Sequence, residues 1–295
     1  MYQSQQLSPS KHCVIMVGPP GSGKSTMAQS FVDNYGYVRI SQDVDGKGHL
    51  EKFDEAINNG TSIIVDRMGF NKAQRARYLD KVKAAGYLTE IVVLHESYAT
   101  CLNRCLSREG HETIKNETNA RDALQTFFTK YERVEDSEAD HVQRLWPSDI
   151  KPKAIICDLD GTLCNIDHRL SFVRNGNKDW KSFFKNIPYD KVNEWCRDII
   201  YRFETDYKII FCSGRGDNER RMTKEWLAEH DIEYDNLFMR NRQDYRSDTI
   251  IKEILLEFEI LTRYTPYFII DDRATVCKMW RNHGLIVLQC AEGNF

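Results

Sequence analysis

The sequence predicts an α/β protein made of two tandem domains, each built around a parallel sheet. Short apolar runs such as HCVIMV and TSIIVD alternate with charged amphipathic stretches of helical length, as in strands joined by crossover helices. The pattern restarts after RLWPSDIKPK, and 295 residues are enough for two hydrophobic cores. We therefore predict a first domain over 1–146, a linker over 147–152 and a second domain over 153–295.

The elements follow from the same pattern, taken in chain order. In the first domain the predicted strands are HCVIMV, YVRI, TSIIVD and LTEIVVLHE, and the predicted helices include 71–85 and 118–133. In the second domain the predicted strands are AIICD, YKIIFCSG, PYFIID and LIVLQC, with helices near 191–203, 217–230, 247–259 and 273–282.

Charge and cysteine usage narrow the functional classes. The formal net charge is -3, so the chain lacks the basic balance of a protein that coats nucleic acid, and any nucleic-acid contact should be local. The nine cysteines show no paired spacing, and no apolar N-terminal segment resembles a signal peptide or membrane span. We expect an enzyme of the reducing cytoplasm without membrane partners.

A phosphate-binding loop follows the first predicted strand. GPPGSGKS, from Gly18 to Ser25, matches G-x-x-x-x-G-K-[ST] and opens a predicted helix, which is the context that this motif needs. Lys24 can reach the β- and γ-phosphates of a nucleoside triphosphate, and the Ser25 hydroxyl can bind Mg²⁺. The remaining groups expected around the phosphates are those of Gly18, Gly21, Ser22, Gly23 and Thr26.

The next strand ends should hold the phosphate acceptor, because ligands of open parallel sheets lie at the carboxyl ends of strands. Asp43 follows YVRI and can accept a hydroxyl proton, although a helix N-cap would give the same spacing. Asp66, followed by Arg67, ends its strand at a position suited to Mg²⁺ or to the acceptor. Arg104 and Arg108 fall at i and i+4, which favours either a lid that clamps the triphosphate or a solvated helix face.

The second domain begins with two carboxylates at a strand end. Asp158 and Asp160, in DLDGT, can converge on one Mg²⁺ and one phosphate if the chain turns at Gly161, one carboxylate attacking phosphorus and the other protonating the leaving oxygen. Later strand ends add a hydroxyl, a cation and metal ligands, in Ser213 with Gly214, Lys252, Asp271 and Asp272.

This ordered set resembles the haloacid-dehalogenase phosphatase superfamily over residues 153–290. The resemblance implies a HAD-like fold with Asp158 as nucleophile, Asp160 as general acid/base, and Asp272 as metal ligand with Asp271 beside it. It also implies that Ser213 and Lys252 bind phosphate.

The order of the two domains resembles the bacteriophage polynucleotide 5′-kinase/3′-phosphatases, most specifically in IIDDRATVCKMWRNHGLIVLQCAEGNF and FCSGRGDNERRMTKEWL. The resemblance implies a P-loop kinase with Asp43 as base for the 5′-hydroxyl, and a lid contact from Arg108 with Arg104 near it. It adds four phosphatase residues: Arg169, Arg215, Arg246 and Asp248. Gly46 stands where the phage enzymes have an arginine, which makes Lys47 the candidate contact to the acceptor, and IVDRMGFNKAQRARYL is similar to kinase modules of eukaryotic end-repair enzymes and tRNA ligases.

The resemblance implies an enzyme that uses ATP and Mg²⁺ to phosphorylate 5′-hydroxyl ends of RNA or DNA and removes 3′-phosphate or 2′,3′-cyclic phosphate. Such ends would then suit an RNA or DNA ligase as partner. The phage enzymes form homotetramers, and a phage-encoded chain would work in the host cytoplasm. Two alternatives remain open: a small-molecule kinase fused to a metabolite phosphatase, and a non-catalytic nucleotide-dependent scaffold.

Overall fold

The structure is a computed structural model, and it describes residues 11–108, 116–174, 176 and 178–292. The chain divides into two compact units, Met1–Ser148 and Asp149–Phe295, and the predicted linker spans that division. Within the described ranges, no helix combines the length and the apolar character needed to cross a membrane.

The N-terminal unit contains a five-stranded parallel sheet in the order β2-β3-β1-β4-β5. The strands are β1 (His12–Val17), β2 (Val38–Ile40), β3 (Ile63–Val65), β4 (Leu88–Leu94) and β5 (His141–Leu145). The helices are α1 (Lys24–Tyr35), α2 (Gln42–Asp45), α3 (His49–Asn58), α4 (Lys72–Ala84), α5 (Tyr98–Leu106) and α6 (Glu117–Lys130), with 3₁₀ turns at Gly46–Gly48 and Asp136–Glu138. The four predicted strands are present, and β5 is a fifth that the sequence pattern missed.

β1 is the central strand of this sheet. Such a position buries both faces of a strand, and β1 tolerates this because each of its residues is apolar or has a buried polar partner. All six residues are buried, and Val14 and Met16 pack with Phe31 of α1 and with Ile64 and Val92 of the neighbouring strands. The order of the strands reverses at β1, since β3 and β4 flank it. The loop after β1 therefore lies at the topological switch point, where open α/β sheets bind their ligands.

The C-terminal unit contains a second five-stranded parallel sheet, in the order β10-β9-β6-β11-β12. The unit has the strands β6 (Lys153–Cys157), β7 (Cys164–Asn165), β8 (Lys191–Val192), β9 (Lys208–Gly216), β10 (Asn236–Arg240), β11 (Thr265–Asp271) and β12 (Val287–Gln289). Of these, β7 and β8 lie outside the five-stranded sheet. The helices are α7 (Trp180–Lys185), α8 (Glu194–Phe203), α9 (Arg220–Glu229), α10 (Asp248–Leu255) and α11 (Ala274–Asn282), and a π-turn at Leu256–Ile260 extends α10. The predicted fold class, two parallel-sheet α/β domains, is confirmed.

Residues 164–193, which we call the insertion, separate β6 from α8. The pair β7 and β8 closes it as a short antiparallel ribbon, and between them lie a 3₁₀ segment (Asp167–Phe172), α7 and a 3₁₀ turn (Ile187–Tyr189). Its apolar side chains, including Leu170 and Phe183, join the core beneath β6 and β9. The insertion thus packs onto the sheet close to the end of β6.

Candidate active sites

The loop after β1 contains glycines at positions where the backbone conformation or a close contact with a neighbouring segment excludes a side chain. Gly21 and Gly23 have φ angles of 83° and 99°, in the left-handed region. A Cβ on Gly21 would lie 2.5 Å from the carbonyl oxygen of Cys101. The loop therefore lies directly against α5, and Gly23 leads into α1 with its N–H groups at the helix N-terminus.

Lys24 is the buried cation of this loop. Its Nζ donates a 2.7 Å hydrogen bond to the carbonyl of Pro19, and burial lowers the pKa of Lys24 to about 8. The first turn of α1 carries no acidic residue, and the buried Ser22 hydroxyl has no hydrogen-bond partner among the described residues. Donors of this kind, with no acid among them, suit a phosphate group.

A cavity above the loop brings eight of the predicted residues together. Its lining includes Gly21, Gly23, Lys24, Ser25, Asp43, Asp66, Arg67 and Arg108. The cavity thus places a cation, a hydroxyl that can bind Mg²⁺ and two carboxylates around one space. Lys47 is exposed in the 3₁₀ turn after α2 and does not line this cavity.

The two cavity carboxylates have different surroundings. Asp43 is exposed in the first turn of α2, whose N-cap is Ser41, so the N-cap alternative for Asp43 is wrong. Asp66 is buried, and Arg39 donates to its Oδ2 from Nη2 at 2.5 Å and from Nε at 3.1 Å. Asp43 is therefore free to meet an acceptor hydroxyl, whereas Asp66 is held in place beside Lys24.

Arg67 connects α2 to α4 at the rim of the cavity. It donates to the Tyr78 hydroxyl at 2.8 Å and to the side chain of Gln42, the residue before Asp43. These bonds fix Arg67 next to the candidate base. Arg39 is a contact that sequence reasoning missed, although an arginine inside the apolar run YVRI is a usable signal of a buried ion pair.

The prediction that Arg104 and Arg108 lie on the same face of one helix is wrong. α5 ends at Leu106 with Ser107 as its C-cap, so Arg108 lies in the following segment and reaches the cavity from there. Arg104 pairs with Glu96 at 3.0 Å and contacts the Gly21 carbonyl at 3.4 Å. Arg104 therefore supports the loop, and Arg108 faces its ligand space. Residues 109–115, which follow Arg108, lie outside the described residues.

The second site forms around the end of β6. Asp158 follows that strand, and one oxygen from each of Asp158, Asp271 and Asp272 lies within 4.8 Å of the other two. Lys252, from α10, donates to Asp158 Oδ1 at 2.6 Å and to Asp271 Oδ2 at 2.9 Å. Four strand-end and helix residues that are far apart in sequence thus meet at one buried point, as the sequence predicts.

The charges at this point are unbalanced. Burial raises the pKa of Asp158 well above its usual range. Asp271 and Asp272 raise this pKa further, whereas Lys252 acts to lower it. Burial and Asp271 likewise raise the pKa of Asp272 to about 6. A divalent cation would relieve this repulsion, and an all-oxygen donor set is the kind that Mg²⁺ prefers. The residues fit a hard metal ion.

Gly161 lets two loops of this site approach each other. Its φ is 90°, and a Cβ there would lie 2.5 Å from Asp272 Oδ2. Thr162, the next residue, donates to Asp272 Oδ1 at 3.4 Å. The turn that the sequence predicts at Gly161 is present, and it places the backbone after Asp160 against the metal-binding carboxylate.

Asp160 does not share the cluster of Asp158, contrary to its predicted role as a metal ligand. Its Oδ1 accepts bonds from Nη2 of Arg169 and Nη2 of Arg215, each at 2.5 Å. Although burial acts to raise the pKa of Asp160, Arg215 and Arg169 outweigh it and hold the pKa well below its usual range. Asp158, Asp271 and Asp272 therefore form one group of candidate metal ligands, and Asp160 belongs to a second group with Cys164 and Asp190.

The same two arginines contact a second carboxylate, Asp190. Arg169 donates to both of its oxygens, at 2.6 and 2.7 Å, and Arg215 donates to its Oδ2 at 3.1 Å. Arg169 and Arg215, predicted as phosphate ligands, thus lie between two buried acids in this structure. Sequence reasoning missed Asp190 because it follows no strand and belongs to no motif.

The C-terminal end of β9 forms the other side of the site. Ser213 is buried in this part of the strand, and its hydroxyl accepts from the Arg215 N–H at 3.2 Å. A Cβ on Gly214 would clash with Asp248 Oδ1, so this glycine allows α10 to approach the strand. Asp248 also lies 3.6 Å from Lys252 Nζ.

Two arginines lie near the end of β9. Arg246, a predicted phosphate ligand, pairs with Asp244 at 2.5 Å. Arg240, at the end of β10, donates to the Gly214 carbonyl at 2.8 Å and lies 3.7 Å from Asp248. The sequence analysis did not identify Arg240, because it did not predict β10, the short edge strand that ends with this residue. The apolar core LFM of that strand is the signal that could have identified it.

Comparisons with known proteins agree with this geometry. Residues 152–295 match the family described as the polynucleotide kinase PNKP phosphatase domain, and residues 13–49 match an AAA domain. A protein of Autographa californica nuclear polyhedrosis virus, provisionally named a bifunctional polynucleotide kinase/RNA ligase, is 25% identical over 94% of this chain and 42% of its own length. A protein of Acanthamoeba polyphaga mimivirus, provisionally named a bifunctional polynucleotide phosphatase/kinase, is 32% identical over 26% of this chain and 19% of its own length.

The chain therefore spans about two-fifths of the baculoviral relative's length. Among solved structures, a chain in the structure of the Pnkp1/Rnl/Hen1 RNA repair complex is 27% identical, with 98% of this chain and 99% of that chain covered and a TM-score of 0.44. The C-terminal unit of this chain thus matches the family of polynucleotide kinase PNKP phosphatase domains along nearly its whole length, and a P-loop domain precedes it in the same chain.

Proposed function

We propose that this chain heals nucleic-acid ends: it transfers the γ-phosphate of ATP to 5′-hydroxyl ends and removes 3′-phosphate or 2′,3′-cyclic phosphate. The observation that carries the proposal is the presence, in one chain, of a phosphatase domain of the polynucleotide kinase family and a P-loop cavity that also contains a candidate base, Asp43. The name of the mimiviral relative combines a polynucleotide phosphatase with a kinase, and the name of the baculoviral relative combines a polynucleotide kinase with an RNA ligase.

The kinase reaction follows from the cavity lining. The loop N–H groups and Lys24 bind the β- and γ-phosphates, and Arg108 adds positive charge on the far side. Bound at Ser25, Mg²⁺ would neutralise charge on the phosphate oxygens. Asp43 accepts the proton of the 5′-hydroxyl as its oxygen attacks the γ-phosphorus, and ADP leaves. Asp66 and Arg67 position the acceptor beside Asp43.

The phosphatase reaction begins at Asp158. Lys252 binds its Oδ1, which leaves Oδ2 to attack the phosphorus of the terminal phosphate while the bond to the 3′-oxygen breaks. Water then hydrolyses the aspartyl-phosphate and releases inorganic phosphate. A metal ion held by Asp158, Asp271 and Asp272 would stabilise the charge on the phosphate oxygens.

Asp160 handles the protons of both steps. Arg169 and Arg215 hold it as a carboxylate, which suits it to take a proton from the hydrolytic water. An incoming phosphate competes with Asp160 for these arginines. As they turn toward the phosphate, the pKa of Asp160 rises, so that the carboxylate takes up a proton from solvent and can then donate it to the departing 3′-oxygen.

Together the two reactions prepare ends for joining. A break with 3′-phosphate or 2′,3′-cyclic phosphate and 5′-hydroxyl becomes one with 3′-hydroxyl and 5′-phosphate, the substrate of a ligase. We therefore propose a nucleic-acid ligase as partner, in line with the ligase activity in the name of the baculoviral relative.

The test uses one oligonucleotide that carries a 5′-hydroxyl and a 3′-phosphate, incubated with the protein, ATP and Mg²⁺, with both ends analysed by mass. Lys24→Ala should abolish 5′ phosphorylation and leave 3′ dephosphorylation within a few-fold of wild type, and Asp158→Asn should do the reverse. If one substitution eliminated both activities in folded protein, the two-site proposal would be wrong. A small-molecule kinase would show no ATP turnover with the oligonucleotide.

A further inference from the structure

The insertion carries charge of the opposite sign to the chain as a whole. From Arg174 to Lys191 the sequence contains five basic residues and two acidic ones, whereas the whole chain has a net charge of -3. The basic side chains are exposed: Arg174, Lys178, Lys181, Lys185 and Lys191. Among the described residues, none of the five has an ion-pair partner. A basic surface on an acidic chain indicates an anionic partner.

Only one of the two acids of that stretch is exposed. Asp190 is buried between Arg169 and Arg215. Asp179 is exposed and accepts the N–H of Ser182 as the cap of α7, so it keeps its negative charge. Five exposed basic residues therefore stand against one exposed acid in this stretch, and the net charge of its surface is positive.

Two aromatic rings are exposed in the same stretch of the insertion. Trp180, the first residue of α7, is 50% exposed, and Tyr189 is 72% exposed. Burial of such rings is favourable, so their exposure calls for an explanation when they lie beside unpaired cations. Rings among basic side chains are the arrangement that binds single-stranded nucleic acid, because bases stack on the rings and cations bind the backbone.

Both aromatic residues are connected to Arg169 of the phosphatase site. Trp180 packs edge-on against Phe183 at 5.7 Å, and the guanidinium of Arg169 lies 4.2 Å above the Phe183 ring. Arg169 in turn binds Asp160. Tyr189 directly precedes Asp190, which binds the same arginine. The Trp180 ring is thus two contacts away from Arg169, and Tyr189 is the sequence neighbour of an acid that holds this arginine.

We propose that the exposed face of the insertion binds the single-stranded 3′ end of the polynucleotide, with bases stacked on Trp180 and Tyr189 and the backbone on Lys181 and its neighbours. The inference rests on the proposed phosphatase activity and deepens it. It predicts that the enzyme prefers an oligonucleotide 3′-phosphate to a small phosphate ester, because only the former reaches this surface.

The first experiment compares kcat/KM for a short single-stranded oligonucleotide 3′-phosphate with kcat/KM for p-nitrophenyl phosphate. Trp180→Ala should reduce the ratio of the two by about tenfold, through a higher KM for the oligonucleotide, since one stacked base is lost. Trp180→Phe should restore most of the ratio. The matched control is Tyr267→Ala, a half-exposed ring toward the opposite end of β11, which should keep the wild-type ratio.

The second experiment measures how KM for the oligonucleotide depends on salt. Lys181→Gln and Lys185→Gln should each reduce the slope of log KM against log salt by roughly 0.7, the value for one phosphate contact on a single strand. Lys278→Gln, at an exposed position of α11, is the matched control and should leave the slope unchanged.

The outcomes separate the two proposals. If wild type dephosphorylates the oligonucleotide and Trp180→Ala keeps the ratio, the surface is refuted and the proposed function stands. If wild type hydrolyses p-nitrophenyl phosphate alone, both fall. The alternative occupant of this face is a second copy of the chain, and sedimentation of wild type and Trp180→Ala tests this alternative. A change of oligomeric state with an unchanged kcat/KM ratio would assign the face to a second copy and overturn the inference.

Discussion

Raising the pH through 8 should weaken nucleotide binding by the N-terminal unit. Phosphate binding needs the ammonium form of Lys24, and burial lowers the pKa of that residue to about 8 from its ordinary 10.5. Bound phosphates would raise the pKa again. Free protein must therefore take up a proton to bind nucleotide at alkaline pH.

The size of the effect follows from this pKa. Lys24 is about nine-tenths protonated at pH 7 and about one-tenth protonated at pH 9, so the Kd for nucleotide should rise about tenfold, or about 1.4 kcal/mol. The nearby Cys101 thiol does not interfere, because burial raises its pKa to about 12. The expected change is thus specific to the lysine.

Isothermal titration of ADP with Mg²⁺ at pH 7, 8 and 9 measures this change. Repeating the titration at pH 9 in two buffers of different ionisation enthalpy should show uptake of about nine-tenths of a proton. Lys24→Arg is the control: its guanidinium stays charged, so the Kd, although higher, should stay flat over this range. Equal wild-type Kd values at pH 7 and pH 9, without proton uptake, would refute the reasoning.

Three other predictions concern single residues. Asp43→Asn should lower kcat for 5′ phosphorylation by about 10²-fold or more without changing the Kd for nucleotide; near-normal kcat would remove its role as base. Beryllium trifluoride with Mg²⁺ should inhibit 3′-phosphate removal and lie on the Asp158 carboxylate in a crystal structure, whereas binding to metal and water alone would exclude the covalent step. Gly161→Ala should cost about 1–3 kcal/mol and abolish the rise of Tm with Mg²⁺, because its Cβ would meet Asp272. Gly284→Ala, with a similar φ of 75° and open space around its Cβ, should keep the Mg²⁺ response, and equal behaviour of the two variants would contradict the argument.

The sequence predicts the central strands well because burial on both faces produces continuous apolar runs. β1 is buried along its whole length and ends at a glycine-rich loop, so strand and motif support each other. β5 is an edge strand whose residues are mostly half-buried, and its sequence, HVQRL, has no such run. Edge strands carry a weaker pattern because one of their sides lacks a neighbouring strand.

The candidate sites divide in the same way. Residues that end a strand or belong to a motif, such as Asp158 and Lys24, could be predicted because chain direction alone fixes their place. The bonds that Asp160 accepts from Arg169 and Arg215 could not, because Arg169 and the acid that holds both arginines, Asp190, lie in the insertion, whose fold the strand pattern does not give. Arg108 shows the limit for helices, since a C-cap at Ser107 ends α5 two residues earlier than periodicity suggests.

The way in which the insertion contributes to the phosphatase site bears on how substrate range could be re-engineered. The candidate nucleophile, lysine and metal ligands all lie outside it, so at first glance residues 164–193 look like an exchangeable cassette. They are not freely exchangeable, because Arg169 and Asp190 both come from this segment and hold Asp160 together with Arg215. A graft that brought new stacking rings but no such pair would leave Arg215 as the remaining guanidinium on Asp160. Any chimera intended to accept a different 3′ end must therefore transplant an arginine and its acid along with the binding face.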